Sequence, residues 1–154
     1  MDSESRKPQA IVHIHHPTDL ILGATKLKGL NYEIRSDRQS LPEISGPSLT
    51  YKDHVVVGEA AVLGWLDRRY PYPELFPSPL DSYAKAATLA HALLSNPQLA
   101  PTILQAHQTG HHNRKYLFGQ EPNIADLALW SALKQIGHLF AHDWAEHLFQ
   151  GELF

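Results

Sequence analysis

The chain has 154 residues, of which 43% are hydrophobic and 19% charged, and a formal net charge of −3 at pH 7. It can therefore bury one core or two small ones, and it offers no cationic surface for nucleic acid or an anionic membrane. It contains no cysteine, which excludes disulfides, zinc thiolate sites and a cysteine nucleophile. No hydrophobic run approaches the ~18 residues of a membrane span, and we expect a cytoplasmic protein.

The first part of the chain predicts a strand, a helix and a second strand. Residues 1–9 are polar, lack the hydrophobic core of a secretory signal, and are expected to be disordered. Residues 10–15 alternate as a strand does, and Thr18 is the N-cap of a helix expected over residues 19–28. Residues 32–35 form a second predicted strand, and the strand–helix–strand order predicts a parallel pair.

A hairpin followed by a helix comes next. Gly46-Pro47 is a turn signal, and residues 48–51 form an extended run. Residues 52–54 reverse the chain, and the β-branched run Val55–Val57 returns beside the first strand of the hairpin. At Gly58 the hydrophobic period changes from that of a strand to that of a helix, so a helix is predicted from there.

The second half of the chain predicts helices after a proline-rich linker. Four prolines within residues 71–80 predict a stiff connection, since each restricts its own φ and the residue before it. From Asp81 a hydrophobic stripe predicts a helix whose buried face consists of Tyr83, Ala86, Ala87, Ala90, Leu93 and Leu94. Further helices are expected from Pro101 to about Gln108, from Asn123 onward, and from about Asp143 to Gln150.

Asn123 and Asp126 have the pattern of a capping box. Asn123 is a favourable N-cap, and the Asp126 side chain, three residues later, can accept a hydrogen bond from the cap amide. Because a mostly hydrophobic run follows, we expect a buried central helix and interpret Asp126 as structural rather than catalytic.

Two segments resemble the glutathione S-transferase superfamily. GEAAVLGWLD over residues 58–67 resembles the segment that ends the hairpin and starts the following helix, and YLFGQEPNIADLALWSAL over residues 116–133 resembles a folding motif of the helical domain. The resemblance implies an α/β thioredoxin-like domain over residues 10–70 and a truncated all-α C-terminal domain over residues 81–154. Only residues 36–45 remain for the second helix of the first domain, so we expect that helix to be reduced or missing.

The resemblance also implies the positions of a glutathione site. Pro47, followed by Ser48, corresponds to the family's cis-proline beside the cysteinyl backbone, so a cis bond is expected between Gly46 and Pro47. The family's Glu-Ser pair, which receives the γ-glutamyl carboxylate, is replaced here by Gly58 and Glu59. A carboxylate side chain at that place repels the ligand's carboxylate.

Two residues compete for the role of holding the glutathione thiolate. Thr18 offers a hydroxyl near the end of the first strand, and His16 offers an imidazole that exchanges protons near neutral pH. Thr18 is also explained as an ordinary helix N-cap. The sequence therefore assigns no catalytic residue.

Histidine is unusually frequent, with eleven in the chain. Three pairs have spacings that can place two imidazoles on one face of a strand or helix: His13 with His15, His107 with His111, and His138 with His142. None of them shows the HExxH pattern of a metalloprotease, and we predict surface or capping roles and no metal site.

Two functions are open at this point. The first is a non-catalytic module, without a cofactor, that binds a protein partner or forms a homodimer through its helix faces. The short glutathione-transferase-like domains associated with aminoacyl-tRNA synthetases and elongation factors have this character. The alternative is a small glutathione-dependent transferase with a remodelled active site.

Overall fold

The computed structural model describes residues 11–35, 46–110 and 114–149. Over these residues the chain forms four strands, six α-helices and one 3-10 helix, and it divides into two compact units between Leu66 and Asp67. The predictions for residues 1–9, for a reduced or missing helix within residues 36–45 and for the chain beyond residue 149 lie outside the described residues. None of the described helices is long and hydrophobic enough to span a bilayer.

The first unit is built on one mixed sheet of four strands. Its elements follow the chain as β1 (Val12–His15), α1 (Asp19–Leu27), β2 (Tyr32–Arg35), β3 (Ser48–Tyr51), β4 (His54–Val57) and α2 (Glu59–Arg69). The last three residues of α2 lie beyond the division between the units and belong to the second one. The strands lie in the order β2-β1-β3-β4, with β1 parallel to β2 and β3 antiparallel to both of its neighbours. This arrangement confirms the predicted parallel pair, the hairpin and the thioredoxin-like order of elements.

The core of the first unit combines one face of the sheet with the two helices. Alternate residues of a strand face opposite sides, and burying a large hydrophobic side chain contributes ~2 kcal/mol. The hydrophobic side chains with 0% exposure in this unit are Val12, Ile14, Ile21, Ala24, Leu49, Val62 and Leu66.

The second unit is helical. Its helices are α3 (Leu80–Ser95), a 3-10 helix (Pro97–Leu99), α4 (Ala100–Gly110), α5 (Ile124–Gln135) and α6 (Ala141–Phe149). α5 lies at the centre, since it contacts α3, α4 and α6 and every residue from Ile124 to Leu133 is buried. The predicted buried central helix is therefore confirmed, and the predicted ends of the other helices are correct to within two residues.

The buried face of α3 is narrower than its sequence predicts. Ala86, Ala90 and Leu93 are buried, whereas Tyr83 is 42% and Leu94 44% exposed. The covered residues follow a single i, i+4, i+7 row, because α3 packs on α5 and the 3-10 helix from one side. The outer members of the predicted stripe face away from that contact.

The chain enters β3 without the expected cis-proline. Among the described residues the cis peptide bond is Tyr72-Pro73 and not Gly46-Pro47, so the expectation was wrong. Gly46 instead turns the chain with a φ of 87°, a conformation that glycine adopts at no steric cost.

Candidate functional site

The positions predicted as a glutathione site meet at one edge of the sheet. His15, the last residue of β1, is the register partner of Ser48, the first residue of β3. Ser48 is in turn the partner of Val57, the last residue of β4. Because β3 is antiparallel to its neighbours, the turns that leave β1 and β4 and the turn that enters β3 lie side by side.

Pro47 and Gly58 are joined directly. The backbone N–H of Gly58 donates to the carbonyl oxygen of Pro47 at 2.9 Å, and the carbonyl oxygen of Gly58 accepts from Val62 in the first turn of α2, also at 2.9 Å. Gly58 has a φ of 99°, which a residue with a Cβ adopts only with strain. Ser48, beside them, is buried with 2% exposure, so its hydroxyl does not form an open part of the edge.

Thr18 lies at the same edge, at the start of α1. Its Oγ1 accepts a hydrogen bond from the backbone N–H of Ile21 at 3.3 Å, which confirms the predicted N-cap. A hydroxyl has one donor and two acceptor positions, so this cap leaves the O–H proton of Thr18 for another acceptor. The capping role and the proposed ligand role are chemically compatible.

His16 has an unusual backbone conformation between β1 and α1. Its φ is 51°, in the left-handed region that few residues other than glycine occupy, and its side chain is exposed. Strained backbone of this kind clusters at ligand sites. The preceding His15 has only 7% exposure, so the two adjacent histidines differ in access to solvent.

Glu59 places a fixed negative charge at this edge. It is the first residue of α2 and the acid of the first turn, where the amides of the helix N-terminus stabilise a carboxylate. The same amides are what would attract an anionic ligand. The edge therefore combines backbone and hydroxyl donors with a carboxylate that competes with a ligand of like charge.

At least one member of each histidine pair has a structural partner. In the part of the chain that the structure describes, no group of three or more histidine, aspartate or glutamate side chains is arranged to hold a metal ion. His13 Nδ1 lies 3.3 Å from Glu33, His142 Nε2 lies 3.6 Å from Glu146, and the His107 ring packs edge-on against Trp144. His111 lies outside the described residues.

The capping box of α5 is present with both of its hydrogen bonds. The Asn123 side chain accepts from the backbone N–H of Asp126, and Asp126 Oδ2 accepts from the N–H of Asn123 at 2.9 Å. Asn123 Oδ1 also accepts from the backbone N–H of Ala125 at 2.9 Å. Asp126 Oδ1 accepts a further hydrogen bond from Leu117 at 2.9 Å. Burial raises the pKa of Asp126 to about 6, although these backbone hydrogen bonds act in the opposite direction.

The half-buried carboxylate of Asp67 has a structural role that the sequence analysis missed. Its two oxygens accept from the backbone N–H groups of Leu75 at 2.8 Å and Phe76 at 3.1 Å. The available signal was a carboxylate a few residues before a proline-rich stretch whose amides need partners. The pattern alone does not show which amides it would reach.

Comparison with solved structures identifies the fold. A glutathione transferase homolog from Burkholderia GL BGR1 with bound glutathione matches with a TM-score of 0.59 and 20% identity, over 90% of this chain and 91% of that one. A maleylacetoacetate isomerase from Anaeromyxobacter dehalogenans 2CP-1 with glutathione in its active site matches with a TM-score of 0.62 and 18% identity, over 94% and 91%. The chain has the glutathione transferase fold.

Human glutathione transferase theta-2 shows the same fold at 19% identity and a TM-score of 0.55, over 91% of this chain and 79% of the human one. No protein-family model and no curated protein sequence matches the chain. The predicted fold class, a thioredoxin-like domain followed by a helical domain of the glutathione transferase type, is confirmed. The likeness to the domains associated with aminoacyl-tRNA synthetases and elongation factors stays a prediction.

Proposed function

We propose that this chain is a non-catalytic module of the glutathione transferase fold that binds a protein partner, or a second copy of itself, through helix faces of its second unit. The module uses no cofactor and acts in the cytoplasm. The observation that carries this proposal is the exposure of large hydrophobic side chains on the second unit. Leu80, at the start of α3, is 79% exposed, and Leu139, between α5 and α6, is 77% exposed.

The aromatic residues of this unit divide between core and surface. Trp130, Trp144 and Phe149 are buried with 4%, 6% and 5% exposure, whereas Phe140 is 39% exposed beside Leu139. Exposed hydrophobic side chains that lie next to one another are characteristic of interaction surfaces. Leu139 and Phe140 lie in the turn that leads into α6, and we expect them to extend the contact made by the neighbouring helix faces.

The site at the sheet edge supports the absence of catalysis. The family resemblance implies that Glu59, the first residue of α2, would face the carboxylate of a bound glutathione. Two carboxylates ~4 Å apart repel by ~1 kcal/mol in water and by more where water is excluded. Glutathione, which has two carboxylates, therefore gains less binding free energy at this edge than it would at an edge with a neutral hydroxyl in place of Glu59.

Sedimentation velocity from about 1 to about 200 µM, the range in which weak self-association becomes visible, tests the homodimer. We expect the sedimentation coefficient to rise with concentration, and Leu139→Glu to suppress the rise. Leu99→Glu is the matched control, because Leu99 is 39% exposed on the 3-10 helix. If the wild-type protein sediments as a monomer at every concentration, the homodimer is rejected. A protein partner is then tested by comparing what co-purifies with the wild type and with Leu139→Glu. A partner retained equally by both contradicts the proposal.

A second function, a glutathione-dependent transferase with a remodelled site, is favoured by one specific observation. The exposed His16, in its strained conformation, lies two residues before the Thr18 hydroxyl at the end of β1. These two groups would hold a thiol, and neutral imidazole is a suitable base at physiological pH. Isothermal titration with reduced glutathione decides between the two functions. The titration extends to about 10 mM so that it also detects a weak complex, because a binding free energy of only ~4 kcal/mol gives a Kd of ~1 mM. Saturable heat that Thr18→Ala reduces supports the transferase, and its absence supports the interaction module.

A further inference from the structure

A short turn joins α5 to α6, and backbone hydrogen bonds close it where it leaves α5. The N–H of Gly137 donates to the carbonyl oxygen of Lys134 at 3.1 Å. The N–H of His138 donates to the carbonyl oxygen of Leu133 at 2.9 Å. These are the two bonds of a Schellman motif, and Gly137 has the left-handed backbone that the motif needs, with a φ of 68°. The turn therefore leaves α5 in a fixed direction.

The other end of the turn is tied to the start of α6. The N–H of Ala141 donates to the carbonyl oxygen of His138 at 3.1 Å. The N–H of Trp144 donates to the carbonyl oxygen of Phe140 at 3.0 Å. Because Trp144 is buried in the core with 6% exposure, the backbone of Phe140 is held at the point where α6 begins.

Inside the turn, the side chain of His138 supplies a hydrogen-bond acceptor. The backbone N–H of Phe140 donates to His138 Nδ1 at 3.2 Å, and the centroids of the two rings lie 5.7 Å apart. An imidazole nitrogen accepts a hydrogen bond only while it carries no proton. The contact therefore requires a neutral His138 ring whose proton is on Nε2.

The charged and titratable side chains that flank this turn belong to α5 and α6. Lys134 lies in the last turn of α5, and His142 and Asp143 lie at the start of α6. His142 is 3.6 Å from Glu146, and His138 forms no ion pair with any residue that the structure describes. The group opposite Nδ1 of His138 is therefore the N–H of Phe140, and a change of protonation at Nδ1 acts on that hydrogen bond.

We propose that this turn is a proton-sensitive switch, in which protonation of His138 releases the N–H of Phe140. A proton on Nδ1 converts this nitrogen from an acceptor into a donor. Two N–H groups then face each other, and the imidazolium ring turns away from the Phe140 amide. Histidine is the side chain whose charge ordinarily changes between about pH 5 and about pH 8, so the hydrogen bond holds at the upper end of this range and is lost toward the lower end.

Release of this amide changes the exposed surface beside it. The Phe140 ring, 39% exposed, packs against the His138 ring, and Leu139 between the two residues is 77% exposed. When the imidazolium turns away, both hydrophobic side chains lose the arrangement that the closed turn gives them. The consequence for partner binding rests on the function proposed above, whereas the release of the Phe140 amide does not depend on it.

Hydrogen exchange of individual backbone amides, followed by NMR between about pH 5 and about pH 8, tests the proposal. The protection of each amide is its slowing relative to an unstructured peptide at the same pH. We expect the protection of Phe140 to be about ten-fold lower at the acidic end, the order of effect expected for the loss of one hydrogen bond. The amide of His138, which donates to Leu133, is the internal reference and should change less than about two-fold.

One variant and one matched control assign the effect to His138. His138→Asn keeps an acceptor, because an asparagine side-chain oxygen accepts from the N–H two residues later in an Asx-turn. It cannot be protonated, so the protection of Phe140 should no longer depend on pH. His142→Asn removes the neighbouring imidazole of α6, which pairs with Glu146, and should respond to pH as the wild type does.

Three results would overturn the proposal: equal protection of Phe140 at both ends of the pH range in the wild type, the same loss in His138→Asn as in the wild type, or no loss in His142→Asn. The amide spectrum of each variant also reports that it is folded. Exchange of a turn amide reports on a single chain, so a monomeric wild type in the sedimentation experiment would reject the homodimer without changing these results.

Discussion

The Asp126 carboxylate accepts a hydrogen bond from the backbone N–H of Leu117 at 2.9 Å, nine residues earlier in the chain. The same carboxylate accepts from Asn123 at the N-terminus of α5, so one buried side chain both caps a helix and closes the loop before it. Residue 126 has 0% exposure. An unpaired N–H group left in such a place costs ~1–3 kcal/mol, which makes this carboxylate important for the second unit.

Replacing Asp126 by alanine leaves two buried N–H groups without an acceptor. We expect Asp126→Ala to lower the free energy of unfolding by about 2–4 kcal/mol, measured by urea denaturation. Asp143→Ala, which removes an exposed acid from the first turn of α6, is the control and should cost less than about 1 kcal/mol. Equal losses in the two variants would show that the loop does not depend on Asp126.

The stability of the second unit should depend on pH through Asp126. Burial raises its pKa from an ordinary 3.8 to about 6, so the folded chain binds this proton more tightly than the unfolded chain. The stabilising contribution is complete below about pH 4 and is lost as the pH rises through about 6.

Asp126→Asn cannot titrate at this position and serves as the reference. The difference in unfolding free energy between wild type and Asp126→Asn should fall from about pH 4 to about pH 6 and level off above that. A difference that instead grows over this range would mean that the hydrogen bonds from Leu117 and Asn123 outweigh the burial of the charge.

The left-handed conformation of His16 predicts an unusual order of tolerance. At a φ of 51° a β-branched side chain is strained by ~1–2 kcal/mol, so His16→Val should be destabilising by about that amount while His16→Gly should be nearly neutral. Thermal unfolding measures both. His13, within β1, is the control. There the order should reverse, with valine tolerated better than glycine. The same order at both positions would contradict the left-handed backbone conformation of His16.

The carboxylate of Glu59 should lower the affinity of the sheet edge for glutathione. Glu59→Ser removes a carboxylate from the N-terminus of α2 and should raise the affinity for reduced glutathione by about ten-fold, an effect that added salt reduces. Isothermal titration measures the affinity. Asp53→Ser removes an equal charge from the turn between β3 and β4, at the opposite end of these strands, and should have little effect. A similar gain in both variants would assign the effect to net charge rather than to this position.

Local features of this protein could be predicted from its sequence. Thr18 caps α1 and Asn123 caps α5 with partners two or three residues away, and such contacts depend on residue type and spacing alone. The strand β2 was predicted with its observed ends, Tyr32 and Arg35, because a short β-prone run between turn residues has one regular conformation.

Contacts between distant segments could not be predicted in the same way. The hydrophobic stripe of α3 included Tyr83 and Leu94, yet both are exposed, since periodicity shows which residues share a face but not how much of the face a neighbouring helix covers. Asp67 and its amide partners are eight and nine residues apart. Their pairing depends on a chain path that no short pattern specifies.

The sequence by itself determined the order of strands and helices, the caps that start α1 and α5, and the charge of Glu59 at the start of α2. These follow from local conformational preferences, which act over a few residues. Only the tertiary structure decided that Asp126 also reaches Leu117 and that Leu139 stays exposed while Trp144 is buried. The reason is physical: burial and closure depend on which surfaces meet in space, and that is set by the packing of the whole unit.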